Sequence, residues 1–259
     1  MKKRNLRNVK YIYALKAATD KQQLSLTGIN KSTVYIVNYG KVAAVASDIL
    51  SPKVRPERRN LAAHREVLKY FTELETVLPM RFGVITSSTQ LIQRLLENNE
   101  ELIMSALGEL GGKVEMGLRV KWKVGNIYEY FVNHYPQLRE ARDKLLSKQQ
   151  NSNTKFKNRD EKIAVGSLYE KLLNQERDAH QQIIEAMLQP CCRKIKILQP
   201  SNEFEILNFA CLVDRANIDE LEQHINDTAT QLNNDCHIDF SGPWAPHNFV
   251  DLDLKVLAS

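Results

Sequence analysis

The most constraining feature of the chain is a glycine pair, Gly111-Gly112, followed by Lys113 to Lys123, in which apolar residues alternate with charged residues and Gly117. Val114, Met116, Leu118, Val120 and Trp122 share one face of a strand, because successive side chains point to opposite sides of a sheet. The glycine pair follows Leu91, Ile92, Leu95, Leu96, Leu102, Ile103, Leu107 and Leu110, which recur at helical spacing after Ser87-Ser88-Thr89. A capped helix that stops at glycines and hands over to a half-buried strand calls for an α+β protein with its sheet packed on helices.

Upstream, Val9 to Leu15 reads as a strand, and Val34 to Ala46 as a hairpin turning around Asn38 to Lys41. Glu57 to Glu75 carries Leu61, Val67, Leu68, Phe71 and Leu74 at amphipathic helical spacing, and Val77 to Gly83 reads as a short strand ended by glycine. Pro79 fits such a strand only at a sheet edge or a strand end, because it has no N–H to donate. Downstream of the alternating strand come a helical segment from Asn126 to Leu146, a polar stretch from Lys148 to Asn158 expected to be mobile, and a long helix over Glu161–Leu188. Strands over Cys191–Leu198 and Glu203–Val213, a helix over Ile218–Leu232 and a last strand over Cys236–Phe240 complete the series.

Without the Asn126 to Asn158 segment, the second half reads strand, helix, strand, strand, helix, strand, the ferredoxin-like split βαβ order. The expected organisation is an N-terminal α+β layer domain over residues 1–111 and a ferredoxin-like domain over 112–240 with a helical insertion at about 124–160. An extended tail over 241–259 follows. A chain of 259 residues is long enough for two such cores without covalent staples.

Composition narrows the function classes. Hydrophobic residues at 43% and charged residues at 26% are globular averages, and no apolar run approaches a membrane span. The basic N-terminus lacks the continuous apolar region of a signal peptide, so a cytosolic protein is expected. The 4 cysteines contain no CxxC pair and the 6 histidines no HExxH spacing, so neither metal nor cofactor is expected. Cys191-Cys192 are expected to alternate between core and surface on a strand, and Cys211 to be a buried small hydrophobe. Gly108, Gly111 and Gly112 end a helix instead of opening one, so they do not cradle phosphate.

The net charge of +5 raises a nucleic-acid partner. Its densest stretch, Leu138 to Lys162, reads as solvated loops and helix faces. An RNA-binding or regulatory ferredoxin-like module is the alternative reading, and base stacking would require aromatic residues on the central strands. Ile195-Lys196-Ile197-Leu198 is aliphatic, and Phe204 and Phe209 fall on opposite faces of a regular strand, so nucleic acid is not the expected partner.

Three segments in order carry a more specific signal: Tyr11-Ile12-Tyr13-Ala14; Ala63-His64-Arg65-Glu66-Val67-Leu68 with Val77-Leu78-Pro79-Met80-Arg81-Phe82-Gly83; and Ser241-Gly242-Pro243-Trp244-Ala245-Pro246-His247-Asn248-Phe249-Val250. Together they resemble the GvpL/GvpF family of gas vesicle proteins. The family opens on a Tyr-x-Tyr strand, continues with a His-x-x-Val-Leu helix and a Val-Leu-Pro-x-Arg-Phe-Gly strand, and closes on Gly-Pro-Trp-Pro-Pro-Tyr-Ser-Phe-Val. Here Ala245 stands for a frequent proline and His247-Asn248 for Tyr-Ser.

The resemblance implies a non-enzymatic accessory protein in the cytoplasm, associated with gas vesicles. It would bind the major shell protein and other accessory proteins during assembly, with no cofactor and no membrane. The motif positions it singles out as structural or partner-binding are Tyr11, Tyr13, His64, Val67, Leu68, Leu78, Pro79, Arg81, Phe82, Gly83, Gly242, Pro243, Trp244, Pro246 and Phe249. His64 is expected to bond backbone at a helix–strand junction and Arg81 to pair with an acidic residue. Trp244 is expected to dock with its indole buried, the alternative being an aromatic contact to a partner.

Overall fold

In a computed structural model, residues 8–19, 24–151, 159–229 and 235–255 are described. The chain is α+β, and its contacts divide it into two units. The first comprises the described residues through Met116, with Leu212–Ala216 and the residues from Gly242 onward; the second comprises Gly117–Cys211 and Asn217–Ser241. The expected boundary at Gly111-Gly112 falls in the turn a few residues ahead of this division, and the segment expected to be a separate tail joins the first unit.

The first unit is built on β1 (Val9–Ala17), β2 (Val34–Tyr39) and β3 (Val42–Ile49), followed by α1 (Arg58–Leu74), β4 (Val77–Pro79), β5 (Ile85–Thr86) and α2 (Thr89–Glu109). The sheet runs β2-β3-β1-β4, with β5 also paired to β1, and every pairing is antiparallel. Helices cover both faces. The face of Val37, Val42, Ala44 and Ala46 packs with Ile92, Leu96, Ile103 and Leu107 of α2. The opposite face, with Val34, Val45 and Ile49, packs with Val67, Leu68 and Phe71 of α1. This double burial is why β3 reads Val-Ala-Ala-Val-Ala instead of alternating with polar residues.

β1 carries a bulge. Ile12 pairs with Ala46 and Ala14 with Val45, leaving Tyr13 as the extra residue. Tyr11 and Tyr13 face α1 and Ile12 faces α2; the added residue shifts the phase, so Ala14 also faces α1 while Leu15 returns to α2. The strand after α1 is shorter than expected: β4 ends at Pro79, which cannot donate to a ladder, and it is the last strand in the sheet order. The chain then turns through Phe82-Gly83 into β5, which has no sequence signal of its own.

The remaining elements are β6 (Lys113–Trp122), α3 (Ile127–His134), α4 (Pro136–Asn151), α5 (Arg159–Leu188), β7 (Lys194–Ile197), β8 (Glu205–Asp214), α6 (Ile218–Ala229) and β9 (Cys236–Trp244). Their sheet runs β7-β8-β6-β9. All five apolar residues of the alternating strand are buried, with Trp122 at 5% the most exposed of them. Within the second unit, Phe131 of α3 meets Trp122 edge-on at 5.6 Å, and Arg177 of α5 donates to the Glu205 carbonyl at 2.9 Å.

Three expectations are corrected. The helical segment from Asn126 is two helices, because Pro136 lacks an N–H and forces Tyr135 into extended backbone. Cys191 and Cys192 lie in the turn that closes α5, both N–H groups donating to the Leu188 carbonyl, and not on a strand. The last strand continues past Phe240 to Trp244. Of the stretch expected to be mobile, Lys148 to Asn151 are the end of α4, and residues 152–158 lie outside the described residues. Residues 230–232 of the expected last helix lie outside them as well.

Candidate functional site

The motif residues of β1, α1 and the turn after β4 meet on the α1 side of the first unit's sheet. His64 sits on the inner face of α1, four residues before Leu68 and three before Val67, so the same helical stripe that buries these two carries the imidazole inward. It is 4% exposed. Its ring stacks on Tyr13 at 5.6 Å between centroids and meets Phe82 edge-on at 5.7 Å, while Tyr11 and Tyr13 lie 4.8 Å apart. Such aromatic contacts contribute about 0.5–1.5 kcal/mol each beyond the area they bury.

The Gly83 N–H donates to the Tyr11 hydroxyl at 2.9 Å, leaving that hydroxyl to donate to Nδ1 of His64 at 3.0 Å. The Ile29 N–H likewise donates to the Tyr13 hydroxyl at 2.9 Å, and that hydroxyl shares a hydrogen bond with Ser47 Oγ at 2.8 Å. Gly83 has φ +92, a conformation that an L side chain resists, so glycine is what lets this N–H reach Tyr11. With Nδ1 accepting, the proton of a neutral ring rides on Nε2, which is buried without a hydrogen-bond partner.

Burial pushes the His64 pKa down to about 4, the positive charges of His247 and Arg65 add to the effect, and the Met80 carbonyl opposes it without making a full hydrogen bond to Nε2. Burial also raises the Tyr11 and Tyr13 hydroxyls. A buried imidazole held neutral, with Nδ1 engaged by the Tyr11 hydroxyl, is poorly placed for general base chemistry and well placed for packing. His64 therefore bonds a tyrosine hydroxyl where a backbone bond was expected.

Other motif residues fall elsewhere. Leu78 packs on the opposite, α2-facing side of the sheet, and Pro79 pairs with Ala14 at the end of β4. Arg81 is exposed and makes no ion pair among the described residues, a departure that follows from its place in the turn beyond Pro79. Gly242 joins Pro243 through a cis peptide at φ +134, and a Cβ there would stand 2.7 Å from the Met116 sulfur. Trp244 is 43% exposed, so the expectation of a buried indole is corrected: Ala245, at 4%, and Pro246 are the residues that go under. Phe249 packs against the α2-side core.

The closing segment also has contacts that sequence reasoning missed. Asn248 donates from its backbone N–H at 2.8 Å and from Nδ2 at 2.7 Å to the carboxylate of Glu115, which is 8% exposed. The only available signal was that Glu115 is the one acidic residue among the basic ones that alternate with apolar residues along β6.

Replacing Tyr11 or Tyr13 with Phe is expected to lower stability by about 1–3 kcal/mol, because the first change leaves Nδ1 of the buried His64 and the second the buried Ile29 N–H without a partner. Urea unfolding should show a lower midpoint at constant slope. Losses below about 0.5 kcal/mol in both variants would mean that the hydroxyls do not hold the turn and the loop in place.

The sequence profile described as "Gas vesicle synthesis protein GvpL/GvpF" matches residues 9–251. Gas vesicle protein F of Dolichospermum flosaquae is 23% identical over 246 residues, covering 94% of this chain and 98% of that protein. Gas vesicle protein L1 of Halobacterium salinarum is 26% identical over 266 residues, covering 95% and 92%. Among solved structures, the crystal structure of GvpF from Microcystis aeruginosa aligns with TM-score 0.78 at 21% identity, covering 95% of this chain and 100% of that one. The crystal structure of GvpF from Anabaena sp. PCC7120 aligns with TM-score 0.75 at 20% identity, covering 95% and 97%.

Proposed function

This chain belongs to the GvpL/GvpF family of gas vesicle synthesis proteins, and we propose that it is a non-catalytic accessory protein of gas vesicle assembly. In this reading it works in the cytoplasm and at the vesicle, and binds the major shell protein and other accessory proteins. The observation that carries the reading is the match through residues 9–251, nearly the whole chain, with relatives named for the same organelle. Among the described residues no helix is long and apolar enough to cross a membrane.

The most distinctive motif side chains, Tyr11, Tyr13 and His64, are consumed in a buried network, so a partner would be met by other residues. Tyr70 and Leu74, one turn apart on α1, are 38% and 60% exposed and offer an apolar face to a hydrophobic client. Titration of shell-protein segments against the full chain tests this. Tyr70→Asp with Leu74→Asp is expected to weaken binding by roughly 2 kcal/mol, about thirtyfold, with the unfolding curve unchanged. Binding should survive high salt, since apolar burial is not screened as charge pairing is. Complete loss at high salt would overturn the apolar contact and move attention to the basic stretch from Leu138 to Lys162.

For the second unit we propose a ferredoxin-like fold. Support comes from the chain order β6-α5-β7-β8-α6-β9 and the sheet order β7-β8-β6-β9, in which the first and third strands of the series are central neighbours, as a split βαβ fold requires. Helices α3 and α4 are then its insertion. Phe209 is buried and β7 is aliphatic, which does not favour the stacking platform of an RNA-binding module.

A further inference from the structure

Cys191, Glu220 and His224 are far apart in sequence, and none belongs to the family motifs. In the second unit the turn that closes α5 brings the buried Cys191 thiol to α6, where Glu220 and His224 stand one turn apart on an exposed face. One ligand atom of each lies within 4.8 Å of the other two. A tetrahedral ion with bonds of about 2.0–2.3 Å holds its ligands roughly 3.3–3.8 Å apart, so small rotations of the two exposed side chains close the site.

The imidazole is already oriented for this. Its Nδ1 lies 3.0 Å from the Glu220 backbone carbonyl, which can only accept, so Nδ1 carries the proton and Nε2 presents its lone pair. A backbone carbonyl that accepts from the other ring nitrogen, fixing tautomer and ring direction, is the usual support of a metal-bound histidine.

We propose that Cys191, Glu220 and His224 form a binding site for a thiophilic divalent cation, zinc by its ligand set, with water in the fourth position. A thiolate, an imidazole and a carboxylate suit zinc, whereas calcium and magnesium demand oxygen ligands. On binding, the thiol releases its proton to solvent and the ion joins the end of α5 to the first turns of α6, adding a cross-link to a helix otherwise held by Leu221 and Ile225. The inference is independent of the gas vesicle role.

The test uses the full chain stripped with a chelator and titrated with Co2+. The expected result is one cobalt per chain, with thiolate-to-cobalt charge-transfer absorption and tetrahedral d–d bands that Zn2+ abolishes. Cys191→Ser should remove the charge-transfer band. His224→Ala, on an exposed helix face where folding is not at risk, should weaken binding about a hundredfold or more. Zn2+ should raise the Tm of the parent chain and leave that of His224→Ala unchanged.

Cys236 is the control, because its sulfur lies 3.9 Å from Nε2 of His180, beside Glu176. A charge-transfer band that persists in Cys191→Ser and disappears in Cys236→Ser would overturn the proposal, and so would a parent chain that gives no such band.

Discussion

Ending the chain after Trp244 is expected to unfold the first unit. The deletion removes Ala245, and with it Phe249, Val250, Leu252 and Leu254, which pack on the α2-side core. It also removes two hydrogen bonds to the buried carboxylate of Glu115 and the one from the Lys255 N–H to Asn99 Oδ1 at 3.0 Å. Half-burying four large apolar side chains contributes about 1 kcal/mol each, and hydrogen bonds to a charged group about 1.5–3 kcal/mol each. The loss is on the order of 7–10 kcal/mol, comparable with the whole stability of an ordinary domain. Circular dichroism and urea unfolding of the truncated chain would measure it, with Asn248→Ala as a milder companion expected to lose about 2 kcal/mol. A truncated chain that unfolds within about 1 kcal/mol of the parent would show the segment to be a dispensable strap. By the same reasoning we propose that a fragment ending at Leu110 does not fold alone, whereas one that carries the closing segment in fusion does.

The second large effect is a loss of stability in acid. The His64 pKa is lowered from an ordinary 6.5 to about 4 by burial first and by the charge of His247 second. Above pH 6.5 folded and unfolded chains are both neutral at this ring and nothing is lost. Between the two values the unfolded chain binds a proton that the folded one refuses, so stability falls with falling pH throughout that window. The difference corresponds to about 3 kcal/mol by pH 4. Urea midpoints recorded from pH 7.5 to 4 should fall for the parent and much less for His64→Gln. Parallel curves would place the acid sensitivity in other groups.

Much of the architecture is legible where periodicity and punctuation act locally. The alternation through Trp122 fixes which side of β6 is buried, Ser88 caps α2 by accepting from the Leu91 N–H at 3.3 Å, and the hairpin turns between Tyr39 and Val42 as its Gly40-Lys41 pair suggests. What escapes is decided at a distance. The bulge at Tyr13 depends on which strand lies opposite, Trp244 is turned outward by the segment that follows it, and β5 is too short to carry a pattern. Cys191 beside Cys192 ahead of Ile195 and Ile197 reads as strand, and only the last turn of α5 claims both amides for one carbonyl. At the motif, the identities of His64, Tyr11 and Gly83 were visible, but their union was not, because the Tyr11 hydroxyl and the Gly83 N–H are 72 positions apart. The ion site was hidden for the same reason, since its ligands come from a turn and a helix with no spacing rule between them.

The first unit is discontinuous along the chain, and that sets an order on its synthesis. Glu115 waits for Asn248, 133 positions later, and Asn99 for Lys255, 156 positions later. At roughly 5–20 residues per second, a ribosome spends about seven to thirty seconds over that distance. During that interval the α2-facing core stands uncovered and the second unit is made in between. A nascent or prematurely terminated chain that lacks the residues from Gly242 onward therefore lacks contacts that complete the first unit's core.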